Sequence, residues 1–177
     1  MHSKYLILTL LLGVFAFGAK AQKFGYVDTD YILGQMTEYK AAQTQLNELS
    51  DKWENDLTIM REEIDKMYKD YKSEEILLSA TQKKEREDAI VAKEDLMKKY
   101  EQEKFGVNGD LFKKRQELIK PIQDKVFAAI QRVAKNNGLD FIFDKSANMN
   151  ILYSNPKYDR SDDVLDELGV TPIDTDK

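Results

Sequence analysis

The sequence predicts a mainly helical α+β fold: a long antiparallel helical hairpin, a coiled-coil tentacle, inserted in a small β-rich body. Three observations predict it. Tyr39, Ala42, Leu46, Leu49, Trp53, Leu57, Met60, Ile64, Met67 and Tyr71 recur at steps of three and four, a helical stripe whose apolar face needs a partner. A short break at 73–79 precedes a second helical stretch, and so short a turn folds two helices back on one another. Strand-like segments, Lys23 to Asp28 and Leu139 to Asp144, flank the whole hairpin.

Before the first strand stands a leader. Lys4, an apolar run from Leu6 to Phe17, and the small-x-small triplet Ala19-Lys20-Ala21 have the form of a cleaved signal peptide, residues 1–21. The mature chain is expected to begin at Gln22, as that of an exported protein. It has no Cys, so it must hold together by packing or assembly. The only His is His2, inside the leader. Thiol nucleophiles, the usual general base and the usual zinc ligands are therefore missing, and no catalytic residue, metal site or cofactor is expected. Loss of Lys4 and Lys20 leaves 25 basic residues against 32 acidic, a net charge of −7. A nucleic-acid partner would require the opposite sign.

The first strand, Lys23 to Asp28, alternates aromatic and small residues, and Gly34 marks a bend into the long helix. That helix should run from Glu38 to Lys72, with one four-residue step between Trp53 and Leu57 that breaks the heptad as a stutter. Ser79 and Gln82 form a capping-box pair that restarts the helix at Ala80. The inward face of the second helix reads Arg86, Ile90, Lys93, Met97, Tyr100, Lys104, Val107, Leu111, Arg115, Leu118 and Ile122. Basic residues interrupt this seam, their stems covering apolar surface. Gly106 and Gly109 weaken the helix and Pro121 should kink or restart it, so these three are expected hinges. Folding about the turn pairs Ala80 to about Arg115 with the first helix, leaving Pro121 to Asn136 to pack on the strands.

Gly138 reads as a left-handed helix stop. Asn150 to Tyr153 is expected to form a hairpin with the strand 139–144, giving three strands, and Ser161 to cap a short helix, 162–168, ended by Gly169. The organisation is then 22–36 plus 120–177 as the body and 37–119 as the arm, with its tip at 73–79. Three strands are marginal alone. Association of copies is expected to bury Phe24, Tyr26, Phe141, Phe143, Ile151 and Tyr153. Asp28, Asp30, Asp140 and Asp144 could meet around a Ca²⁺ ion, but their spacing suits turn and cap acceptors better.

Lys23-Phe24-Gly25-Tyr26-Val27-Asp28 followed by Tyr31-Ile32-Leu33 resembles the opening of the Skp/OmpH periplasmic chaperones. The segment Leu118-x-x-Pro121-Ile122-x-Asp124-Lys125-Val126 resembles that family's return helix, and Gly138 to Asp144 with Ile151-Leu152-Tyr153 its close. The resemblance implies a homotrimer in which the strands form a barrel and three arms surround a cavity. There unfolded outer-membrane proteins would be held from aggregating, without ATP. The best-known members are basic, whereas this chain is acidic, which removes the electrostatic basis for capturing acidic clients and leaves membrane contact open.

Function should then lie in apolar residues that the seam does not use. Phe105, Phe112 and Ile119 form a seven-residue row, with packing on the first helix or the body as its other reading. Ile59, Val91 and Leu96 point away from the seam, and Ile76, Leu77 and Leu78 form an apolar run at the tip. These nine are the candidate client-binding residues. The alternative function is a structural coiled-coil spacer or envelope adaptor that engages a partner at the tip. An enzyme is the reading with least support.

Overall fold

The computed structural model of the chain describes residues 22–146 and 151–172. It divides into two compact units, one running from Leu33 to Phe127 and the other formed by the chain ends, up to Ile32 and from Ala128. In chain order the elements are β1 (Phe24–Val27), α1 (Thr29–Gln35), α2 (Thr37–Glu74), a 3-10 turn (Glu75–Leu77), α3 (Ala80–Phe105), α4 (Asp110–Asn137), β2 (Phe141–Asp144), a second 3-10 turn (Pro156–Tyr158) and α5 (Ser161–Leu168).

The arm is a helical hairpin, as its periodicity requires. Ala42, Leu46, Leu57, Ile64 and Tyr71 are the buried residues of α2, all on the predicted stripe. Cross-helix pairs fix the antiparallel register. Tyr71 Oη donates to Glu87 Oε1 at 2.5 Å, Lys93 Nζ reaches Glu63 at 2.6 Å, and Tyr100 Oη donates to Asp56 at 2.7 Å. At the tip, Ser79 and Gln82 close the expected capping box. Ile64, Tyr71 and Ile90 form a buried cluster there, with Met67, Leu78 and Met97 packed against it.

Three expectations for the arm need correction. The chain bends at Met36, in extended conformation at the start of α2, and Gly34 lies inside α1. Pairing also reaches further than Arg115, because Lys125 Nζ binds Glu38 at 2.7 Å. The 3-10 turn carries the reversal to Leu77, and the residues between Phe105 and Asp110 displace the register further, so the shift is larger at Glu38–Lys125 than at Glu63–Lys93 or Asp56–Tyr100. Finally, the return leg is two helices. α3 ends at Phe105 and α4 begins at Asp110, so Gly106 to Gly109 is a break and not a weakened stretch of helix. Val107 is 90% exposed there and leaves the predicted seam.

The glycines explain the break. A Cβ on Gly109 would meet the Lys104 and Glu103 carbonyl oxygens at 2.8 and 2.9 Å, and one on Gly106 would collide with the Gln102 carbonyl oxygen. The Gly106 N–H still donates to that same oxygen, and Gly109 N–H donates to Gly106 O at 2.8 Å. The predicted stutter in α2, between Trp53 and Leu57, lies at the same level as this break. Trp53 packs edge-on against Phe105 with ring centroids 6.0 Å apart. Pro121, by contrast, sits within α4, which continues through it to Asn137; the helix restart expected there occurs at Asp110.

In the body, β1 and β2 pair in parallel, with Phe24 opposite Phe141 and Tyr26 opposite Phe143. Parallel strands need a long crossover connection, and the entire hairpin supplies it. The predicted third strand is absent from the described residues. Ile151 to Tyr153 is irregular and exposed, and Asn150, which was to open that strand, lies outside the described residues. The other edge of β1 is met by a bridge from Tyr26 to Asp159, with Arg160 N–H donating to Tyr26 O at 2.9 Å. Val27, Ile32, Ala129, Val133, Val164 and Leu165 are among the buried residues of this unit. Arg132 ties α4 to α5 through Glu167 at 2.5 Å, so the end of α4 does pack within the body.

Gly138 and Gly169 have φ of 59° and 70°, the left-handed stops expected of them. Ser161 is the first residue of α5 and not its cap; its hydroxyl accepts from the Asp28 N–H at 2.9 Å instead.

Candidate functional site

The candidate site is the apolar surface that the two units leave uncovered. On the arm, ion pairs and hydrogen bonds occupy most of the polar surface near the tip: Lys72 with Glu75, Arg86 with Glu74, Lys84 with Asp88. Between them the tip presents Ile76 and Leu77, 95% and 85% exposed. A 3-10 turn has few backbone atoms to shelter a side chain, and these two stand adjacent on it. Leu78 does not join them. It packs on the Ile64, Tyr71 and Ile90 cluster and is withdrawn from the contact set.

Ile59, Val91 and Leu96 are exposed, as their positions off the seam predict. The register that joins Glu63 to Lys93 and Asp56 to Tyr100 places Ile59 level with Leu96. The break at Gly106 to Gly109 separates Phe105, on α3, from Phe112 and Ile119, which stand seven residues apart on the same side of α4 but differ in what covers them. Phe105 packs on Trp53, Phe112 is exposed, and Ile119 is buried in the arm core. Ile119 is thus corrected to a packing residue. Phe127, 62% exposed, and Val107 are apolar surface that the sequence reading missed. Phe127 stands one residue past the buried Val126, a displacement from the seam that could have flagged it.

Beside the break lies a compact polar node. Lys104 Nζ contacts Asp110 at 2.5 Å and sits over the Trp53 and Tyr100 rings, at 5.2 and 5.5 Å from their centroids. The hydrogen bond from Lys104 holds the Asp110 carboxyl below its usual range. Burial, followed by the bond to Asp56, pushes the Tyr100 hydroxyl up to about 12. Toward the tip, the bond to Glu87 raises Tyr71 likewise to about 12.

On the body, Phe24, Phe141 and Phe143 are exposed, and the last two rings stack 6.4 Å apart. Ile151 and Tyr153 are exposed too, though not on a strand. Tyr26, grouped with them by sequence, is buried within the single chain, with Lys145 Nζ 5.8 Å from its ring centroid. Three of the four acidic groups considered for Ca²⁺, Asp28, Asp140 and Asp144, accept hydrogen bonds within the body. Asp28 accepts from Tyr31 N–H at 3.0 Å and Asp140 from Lys23 N–H at 2.9 Å. Asp144 accepts from Thr29 and Ser146. Burial alone would raise the Asp144 carboxyl, but these donors together outweigh it and hold it low.

A helical hairpin with a half-charged seam, inserted in sequence between two paired strands, defines a coiled-coil-like class of fold. The sequence profile of a family described as outer membrane protein (OmpH-like) matches residues 23–168, and the chain belongs to that family. A search of curated proteins finds no match. Among solved structures, the chain is similar to a proposed outer membrane chaperone (OmpH-like) from Caulobacter crescentus CB15. The TM-score is 0.66 at 16% identity, covering 90% of this chain and 92% of that one. At that identity the likeness establishes the shared fold.

Proposed function

We propose that the protein is an exported, ATP-independent chaperone that holds unfolded outer-membrane proteins and keeps them from aggregating. Membership of the OmpH-like family supports this reading, as does the chaperone description of the similar structure. The observation that carries it is the exposed apolar set on the arm: Ile76 and Leu77 at the tip, and Ile59, Val91, Leu96, Phe112 and Phe127 along its legs. Scattered apolar contacts on a charged surface suit clients that share no sequence. A holdase needs only to lower the free concentration of unfolded chain, so weak contacts in number suffice.

The working form is a homotrimer in the periplasm, cleaved after Ala21, with the arms of three copies around the client. Phe24, Phe141 and Phe143 form an aromatic face on a two-stranded sheet, too little sheet to be stable with open edges. Neighbouring copies would cover that face, together with Ile151 and Tyr153. The decisive experiment dilutes a urea-unfolded outer-membrane protein into buffer with and without the mature chain, following light scattering and complex size. Suppression by a stoichiometric trimer is expected; a monomer without effect on scattering would defeat the proposal. A second reading, an envelope adaptor that docks by its tip, is favoured only by Ile76 and Leu77. It predicts full loss of function on replacing those two residues with Ser and no suppression of aggregation.

A further inference from the structure

The break between α3 and α4 carries chemistry as well as shape. Within it Asn108 precedes Gly109, and at the end of α4 Asn137 precedes Gly138. The main-chain nitrogen that follows an asparagine can attack its side-chain amide and close a five-membered ring. A following glycine removes the Cβ that would crowd this closure. The chain holds these two asparagine–glycine steps and no others.

Their surroundings differ. The Asn137 amide is committed, since its Nδ2 donates to the Val133 carbonyl oxygen at 2.9 Å. Asn137 also ends α4, and the backbone just beyond it is tied down. Leu139 N–H donates to Ala134 O at 2.9 Å and Asp140 N–H to Lys23 O at 2.8 Å. Ring closure at Asn137 therefore requires the end of α4 to unwind. Asn108 is exposed and lies outside both helices, and its side chain has no hydrogen-bond partner among the described residues.

One bond stands in the way. The Gly109 nitrogen, which must attack, is buried and donates to Gly106 O at 2.8 Å. The turn must open before the ring can close. Parting a single hydrogen bond in a short loop is a small local opening, far faster than the covalent step. The reaction then runs at its unfolded rate multiplied by the fraction of time the turn stands open. Nor can the chain escape by exchanging the glycine. A Cβ at Gly109 would meet the Lys104 and Glu103 carbonyl oxygens at 2.8 and 2.9 Å, so the shape of the break keeps the reactive step in place.

We propose that Asn108 is a site of spontaneous deamidation, gated by opening of the Gly106 to Gly109 turn. Hydroxide takes the Gly109 amide proton, the nitrogen bonds to Asn108 Cγ, and Nδ2 leaves as ammonia. Water then opens the succinimide at one of its two carbonyls, leaving aspartate or isoaspartate at position 108. Either product sets a new carboxylate in a loop whose Asp110 already binds Lys104 and Lys113. Isoaspartate also adds one carbon to the main chain inside the turn that the Gly109 N–H closes, so the break no longer closes as before.

The test holds the full chain from Gln22 at mildly alkaline pH, folded and in guanidinium, and maps its peptides by mass with detection of isoaspartate. In the folded chain Asn108 should convert at least about tenfold faster than Asn137. In guanidinium Asn108 should convert faster than when folded, and Asn137 should come within about threefold of it. Isoaspartate should be among the products. Asn108→Gln should silence that peptide, with the helical circular dichroism unchanged. Conversion at Asn137 that matches or leads Asn108 in the folded chain would overturn the proposal. So would an intact Asn108 in the folded chain when the unfolded chain has fully converted. Aspartate without isoaspartate would mean direct hydrolysis, and a folded rate equal to the unfolded one would mean no gate; either defeats it.

Discussion

The two legs of the arm are built on different plans. The outgoing leg, α2, is one helix of 38 residues with five buried side chains spaced along its stripe. The return leg is interrupted at Gly106 to Gly109, and its first part, α3, buries only Ile90. What α3 lacks in apolar burial it replaces with cross-helix polar pairs from Glu87, Lys93 and Tyr100. Exposed pairs of this kind contribute little each. One leg thus carries the hydrophobic order and the other is held to it by a few anchors, and a compliant arm can arise from one firm helix and one loosely fastened one.

The comparison can be broken first at its main anchor. Ile90→Ala removes the single buried side chain of α3, and should cost about 3 kcal/mol, read from urea unfolding of the mature chain. Leu96→Ala on the same helix, an exposed site, should cost under about 0.5 kcal/mol. Equal effects would mean that α3 is not anchored as described. Next comes the break. Gly109→Ala forces a Cβ against two backbone oxygens and should destabilise the arm by about 2 kcal/mol. The Trp53 fluorescence should change with it, since Trp53 packs beside the loop. At the tip, Ser79→Ala removes the capping box of α3 and should cost about 1 kcal/mol, with amide exchange accelerated over 80–84 ahead of the rest.

The smallest effect is alkaline. Tyr71 and Tyr100 have folded values raised to about 12, above the ordinary phenol value near 10. Their contribution is whole below that ordinary value and is lost as pH rises from about 10 through about 12. Tyrosinate absorbance should show these two hydroxyls titrating late. Tyr71→Phe should flatten the alkaline loss of stability.

Periodicity made the arm legible. The stripe on α2, the antiparallel return and the Ser79 cap follow from spacing alone, because each is a local pattern with a physical consequence. The break at Gly106 was read only as weakening, since propensity gives a cost per glycine and says nothing of a Cβ colliding with a carbonyl one turn away. That error then misplaced Val107 and joined Phe105 to Phe112 and Ile119 as one row. The strands were found, but not their company: Ile151 and Tyr153 alternate like a strand yet have no partner within the described chain. The family-level resemblance held, resting on the strand motifs at both ends of the chain and on the return helix from Leu118.

The parallel pairing of β1 with β2 has a consequence for biogenesis. Phe24 meets Phe141, so the sheet cannot close until the chain has been made past Phe141. A product cut short before β2 has no partner for β1 and so no sheet. The topology therefore acts as a check on length, since only a chain that reaches β2 can complete the body.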